Sequence, residues 1–193
     1  MASTKPALVL LCGFGYLFYR YSSTDVGDAS LVEDVTSTLE TVKEWAMPSD
    51  IPFACVDPQT RRDYKPDIQS TARLTGVPAL LLASLIRQES QFKATVVNTR
   101  SGARGLGQFM PITAAEWFGP TWENGVVDPD RAIPMTARYL RWLYTRHGTW
   151  RLAVGAYNWG TGNVAKKGLA LAPQETRDYV RIVYDTWAGQ LPA

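Results

Sequence analysis

The sequence is poor in the groups that most often carry metal or thiol chemistry. Its 193 residues include one histidine, His147, and two cysteines, Cys12 and Cys55, with no Cys-x-x-Cys pair. That excludes a zinc site, and the two cysteines lie in different segments, which argues against a structural disulfide. No alternating apolar and polar run is long enough for a substantial sheet, and no internal repeat or low-complexity tract occurs. Basic residues are dispersed, so a nucleic-acid footprint is not expected. No organic cofactor motif is present.

Charge is uneven along the chain although the net value is only +2. Residues 24–50 hold seven acids against Lys43, a net of −6, and residues 51–193 carry a net of +6. Three segments follow: 1–23, hydrophobic; 24–50, an acidic linker; and 51–193, the main domain. In the first, "ALVLLCGFGYLFY" (residues 7–19) is uncharged and flanked by Lys5 and Arg20. It is shorter than the roughly 20 residues of an ordinary membrane span. Tyrosines and Arg20 beside it would anchor an N-terminal hydrophobic helix at the interface, with the main domain outside the cytoplasmic membrane. A cleaved signal is the rival, though no small-x-small site follows. In the linker, Val32, Val35, Leu39, Val42 and Ala46 recur at helical spacing, which predicts an amphipathic helix over residues 30–47.

From residue 60 onward the pattern is helical, with proline starts and glycine stops. Helices are predicted after Pro66, after Pro78, from Pro111 and from Pro134. A short buried helix, "WRLAVGAYN", and a last one through "ETRDYVRIVYDTW" follow. The fold class is all-α with at most a small hairpin in "VVNTRSGA". His147 reads as a helix C-terminal charge that complements the dipole.

Glu89 stands at the carboxyl end of the greasiest helix, after Leu80, Leu81, Leu82, Leu85 and Ile86. Apolar surroundings and the negative helix end both disfavour a carboxylate, raising its pKa as a general acid requires. The alternative is a glutamate at a frayed helix end, paired with Arg87 or Lys93. The next stretch, "SGARGLGQFMP", brings close-spaced glycines that let backbone approach a ligand. Gln108 and Met110 there offer a cleft one hydrogen-bonding group and one soft apolar group. Downstream, "VGAYNWGTG" sets Tyr157 and Asn158 among small residues, and "PQETRDYV" adds Glu175, Arg177 and Tyr179.

Four runs in this order, Glu89-Ser90, "GAxGLxQxMP" from Gly102 to Pro111, "AYNxG" from Ala156 to Gly160 and "ETRxYV" from Glu175 to Val180, resemble the lytic transglycosylases (soluble lytic transglycosylase-like family), relatives of goose-type lysozyme. The resemblance covers about residues 60–187. It implies a lysozyme-like fold acting on peptidoglycan glycan strands, with Glu89 as the one acid and base and no metal or cofactor. It further implies that Gln108 and Met110 line the sugar site and that Tyr157 hydrogen-bonds near Glu89. Asn158, Glu175 and Tyr179 would be secondary cleft residues. Where the family often has a serine three residues before Gly-Ala, this chain has Thr99, with Ser101 or Asn98 as substitutes if the loop shifts. Glu116, Asp128 and Asp130 are the acids that could fold back as a second carboxylate.

Three functions compete. The first is a membrane-anchored or virion-associated lytic transglycosylase on the periplasmic side, partnered by phage or secretion-machinery proteins. The second is a water-using muramidase, and the third a non-catalytic glycan-binding structural component.

Overall fold

The computed structural model describes residues 10–12, 15–17 and 51–188. The chain divides into two units, Met1–Lys43 and Glu44–Ala193. In the first, strands β1 (Leu10–Cys12) and β2 (Gly15–Leu17) pair antiparallel, Leu10 opposite Leu17. Among the described residues no helix is long and apolar enough to cross a membrane. The rest of the predicted anchor and the predicted helix over residues 30–47 lie outside the described residues.

The second unit is built of helices α1 (Lys65–Thr75), α2 (Ala79–Ser90), α3 (Pro111–Phe118), α4 (Trp122–Gly125), α5 (Pro129–His147), α6 (Trp150–Trp159), α7 (Thr161–Lys167) and α8 (Gln174–Ala188). A single 3₁₀ turn, Leu169–Leu171, precedes α8. Prolines and glycines punctuate as their chemistry dictates. Pro66 and Pro111 occupy first turns, where a missing N–H costs nothing, and Gly76 and Gly148 close α1 and α5 in left-handed conformation. Thr149 caps α6 by accepting from the Leu152 N–H at 3.2 Å.

One predicted start is wrong. α5 begins at Pro129 rather than Pro134, because Asp128 accepts from the Asp130 N–H and caps the earlier turn. Pro134 lies inside the helix. Its missing donor removes one bond near the amino end, where the helix tolerates the loss best. His147, the last residue of α5, also departs from its expected role. Its Nε2 pairs with Thr161 Oγ1 at 2.9 Å, and burial, aided by Arg146, holds the imidazole below its ordinary pKa, so it is mainly neutral at pH 7.

The core gathers around α2. Leu80, Leu81, Leu82, Leu85 and Ile86 are all buried there, and each stabilises the fold by about 1.5–3 kcal/mol relative to exposure. α2 packs against α1 and α8, and α6 packs against α5, α7 and α8. A second, smaller cluster consists of Phe109, Ala114, Phe118 and Val126, with Trp117, Trp122 and Tyr139 around it. The glycine-rich loop joins the two, since Leu106 belongs to the main core and Phe109 to the small cluster.

Candidate active site

Glu89 is the penultimate residue of α2 and is half-buried. The backbone leaves the helix abruptly. Gln91 and Phe92 both take left-handed conformations, with φ of 51° and 62°, and neither is glycine. Each such residue costs of order 1–2 kcal/mol. The turn drops Phe92 into the core beside Phe53, at 6.4 Å between ring centroids. Burial of that ring offsets the strain and fixes where the carboxyl-bearing end of α2 stops.

One side chain holds the Glu89 carboxyl. Tyr179, buried on α8, donates its hydroxyl to Glu89 Oε1 at 2.5 Å. Burial pushes the Glu89 carboxyl up from its ordinary 4.5 to about 7, and the Tyr179 hydrogen bond pulls part of the way back. Near neutral pH the group is therefore divided between acid and carboxylate, so both giving and taking a proton are accessible to it. Tyr179 itself is held far above the ordinary phenol range, first by burial and then by the charge of Glu89, and stays a donor.

Tyr157 lies near Glu89 without bonding its carboxyl. Its hydroxyl donates instead to the Gly107 carbonyl at 2.7 Å. Its pKa is raised by burial and then by the nearby charge of Glu89, so it too stays protonated. The phenol thus braces the glycine loop, and the ring packs on Phe109 and Tyr139 at 6.2 and 5.3 Å. Sequence order placed Tyr157 and Tyr179 in the same neighbourhood, but only the packing of α8 on α2 decides which one reaches the carboxyl.

The loop from Ala94 to Met110 folds by its own hydrogen bonds. Antiparallel bridges pair Val97 with Arg104 and Arg104 with Phe109. Asn98 Oδ1 accepts from the N–H groups of Arg100 and Ser101, and Ser101 Oγ accepts from the Ala103 N–H. Both of those side chains therefore hold the turn itself, while Thr99 is exposed at its tip. Two glycines are sterically required. A Cβ on Gly105, whose φ is +75°, would lie 1.7 Å from the Val126 carbonyl oxygen. One on Gly107 would lie 2.4 Å from Thr136 Oγ1 and 2.8 Å from the Tyr157 hydroxyl.

Gln108, another left-handed residue, donates its side-chain amide to the carbonyls of Gly105 and Val96 at 3.0 and 3.3 Å. Met110 stays 46% exposed beside it. Asn158 and Glu175 are exposed, Glu175 in the first turn of α8. Of the acids that might supply a second carboxylate, Asp130 pairs with Arg62 at 2.5 Å and Asp128 caps α5. Glu116 is exposed on α3 and close enough to Tyr139 to raise its pKa, after burial. Among the described residues no three His, Cys, Asp or Glu side chains converge as metal ligands.

Asp57 escaped the sequence reading altogether. Buried, it accepts from the N–H groups of Gln59, Thr60 and Ala94 and from the Tyr64 hydroxyl, at 2.7–3.2 Å. Burial alone would push its carboxyl up, but these four donors more than reverse that and keep it ionised. The Ala94 contact ties the start of the loop to the segment before α1. The Asp-Pro-Gln-Thr run at residues 57–60 carries the signature of a side-chain-closed turn, the one signal from which it was legible.

With this geometry in view, comparison with known proteins is decisive. The family described as Transglycosylase SLT domain matches residues 67–179. The chain belongs to that family. Among solved structures it is similar to an inactive glutamate-to-glutamine mutant of the lytic transglycosylase Slt from Pseudomonas aeruginosa, with a TM-score of 0.58 and 26% identity over 69% of this chain. It is also similar to the 70 kDa soluble lytic transglycosylase of Escherichia coli, with a TM-score of 0.55 and 28% identity over 65% of this chain. In both cases the match spans only 24% of the larger protein. The transglycosylase SLT domain of this chain thus comprises α1 to the first turns of α8, and its bounds enclose Glu89, the glycine loop and both tyrosines.

Proposed function

We propose that this chain cleaves the β-1,4 bond between N-acetylmuramic acid and N-acetylglucosamine in peptidoglycan, using Glu89 alone as acid and then base. The observation that carries the reading is the half-buried Glu89 carboxyl, raised to about 7 and fixed by Tyr179, inside an SLT domain. Protonated Glu89 gives its proton to the leaving glycosidic oxygen as the bond to C1 breaks. The carboxylate then takes the proton of the muramic C6 hydroxyl, whose oxygen closes on C1. The product is a 1,6-anhydromuramic end, the proton has passed from O6 to the leaving oxygen through Glu89, and no water is consumed.

Ordinary glycoside hydrolysis uses two carboxylates. Asp128 and Asp130 are committed to a helix cap and to Arg62, which supports the one-acid route. In this reading Met110 and Gln108 border the sugar, Tyr157 keeps the loop at its distance from Glu89, and Thr99, Asn158 and Glu175 contact the strand further out. The action falls on the extracytoplasmic side, where the polymer lies, and opens the wall locally for a phage particle or a secretion apparatus.

Mass spectrometry of digested sacculi tests the chemistry. Anhydromuramic ends are expected. Products at the water-added mass alone would replace this reading with a muramidase, and equal clearing by wild type and Glu89→Gln would remove Glu89 from the mechanism.

A further inference from the structure

The buried carboxylate of Asp57 takes no part in the chemistry at Glu89, yet it is bonded to the backbone that leads into the cleft. It belongs to a small hairpin ahead of α1. Val56 pairs antiparallel with Asp63, the Tyr64 N–H donates to the Cys55 carbonyl at 2.9 Å, and Arg61 turns the chain at a φ of 62°. The family match begins at residue 67, so the hairpin lies ahead of the matched residues.

The two oxygens of the carboxylate have different partners. Oδ1 accepts from the N–H groups of Gln59 and Thr60, at 2.7 and 3.0 Å, and closes its own turn. Oδ2 accepts from the Tyr64 hydroxyl at 2.9 Å and, 37 positions along the chain, from the Ala94 N–H at 3.2 Å. An exposed link runs beside it, where Thr95 Oγ1 donates to Gln59 Oε1 at 3.0 Å. Two residues past Ala94, the Val96 carbonyl accepts from the Gly105 N–H at 2.9 Å and from Gln108 Nε2 at 3.3 Å. A chain of bonds therefore runs from Asp57 through Ala94 and Val96 to the glycine loop.

We infer that Asp57 is a positioning residue, which through Ala94 holds the glycine loop in register with Glu89 and so sets how substrate fits the cleft. The inference rests on the function proposed above. What makes the residue specific is that a carboxylate only accepts. Asp57→Asn puts an NH₂ group in place of one oxygen. Turned toward Gln59 and Thr60, that group would oppose two backbone N–H donors. Turned toward Tyr64 and Ala94 it opposes one, because the phenol hydroxyl can rotate to accept. The amide therefore keeps the hairpin closed and leaves the Ala94 N–H without an acceptor. Tyr64→Phe is the contrast, since it removes a donor to Oδ2 and leaves the Ala94 bond in place.

The test compares these two variants in the full chain, by amide hydrogen exchange and by turnover of soluble peptidoglycan. In Asp57→Asn the Gly105 amide should exchange about tenfold faster while the α2 amides keep their protection. KM should rise by about three- to tenfold, with kcat and the pH of its alkaline limb unchanged. Tyr64→Phe should lower the melting temperature, yet keep wild-type exchange at Gly105 and a KM within about twofold of wild type. If KM moves in neither variant, or in both alike, Asp57 only supports the fold and the inference fails. Should Asp57→Asn not fold, Gln59→Ala cuts the exposed link alone. It must then speed Gly105 exchange and raise KM by about twofold, or the inference fails. If wild type leaves sacculi intact, the substrate reading fails, and Gly105 exchange decides the link: faster in Asp57→Asn it upholds the anchoring of the loop, and unchanged it overturns that as well.

Discussion

On one side of the site, Glu89 and Tyr179 hang from α2 and α8, two helices pressed together in the main core. On the other, Gly102 to Met110 is loop backbone, whose Phe109 packs with buried Ala114, Phe118 and Val126 and whose Gly107 carbonyl accepts from the Tyr157 hydroxyl. The first wall fixes one acid against one phenol. The second is shaped by glycines that leave no room for a side chain. On the proposed reading, the proton-handling group would sit on the helical wall, where burial raises its pKa, and substrate fit would fall to the loop wall. Five substitutions separate the two walls.

Glu89→Gln removes the acid without changing its volume. We expect kcat to fall by about 10²–10⁴, the usual contribution of general acid and base catalysis. The same variant reports on burial. A carboxyl whose folded pKa, about 7, exceeds its ordinary 4.5 adds stability that is full below 4.5 and lost as pH rises through 7. Thermal unfolding at pH 8 should therefore find Glu89→Gln more stable than wild type by about 1–3 kcal/mol, with the gap closing below pH 4.5. A variant no more stable at pH 8 would place Glu89 in water.

Gly105→Ala attacks the other wall. Its Cβ meets backbone, not a flexible side chain, at a φ that disfavours any L residue. The loop must shift, and we expect a loss of about 2–4 kcal/mol in unfolding free energy. Measured well below its melting temperature, the variant should show a raised KM while the pH at which kcat falls stays that of wild type. A moved pH profile would mean that the loop, not the helical core, sets the acid.

How much of this was legible in the chain follows the same division. α2 and α8 announce themselves by periodicity, and the apolar run before Glu89 already argues for a perturbed acid. The loop's outline could be read from its glycines, but its bonding could not. Gln108, chosen as a sugar ligand, spends its amide on the carbonyls of Val96 and Gly105. Which tyrosine bonds the acid was hidden for a related reason, since sequence order carries no distance between helices. The left-handed pair Gln91-Phe92 gave no signal, because neither residue is one that favours that conformation. Asp57 was hidden by its distance of 37 positions from Ala94, the group it anchors in the loop.

Tyr179→Phe tests the bond on the helical wall. The phenol stabilises the carboxylate and so lowers the Glu89 pKa against the larger effect of burial. Without it the acid should titrate at higher pH, and the alkaline limb of kcat should move up. We expect kcat to fall by about tenfold from the loss of one charge-assisted hydrogen bond. A limb that moves down would reverse the assignment. Tyr157→Phe serves as the contrast: it releases the Gly107 carbonyl, so KM should rise, with the limb nearly unmoved.

Met110→Ala should be the mildest change. With 46% of its surface exposed, Met110 contributes little to packing, so unfolding free energy should change by less than about 0.5 kcal/mol. If the side chain borders the sugar, KM should rise by about two- to fivefold, the effect of one soft apolar contact made equally in ground and transition states. Because that contact is uniform, kcat should hold. A fall in kcat with KM unchanged would mean that Met110 acts on the transition state, and the separation between an acid wall and a fitting wall would then have to be redrawn at this residue.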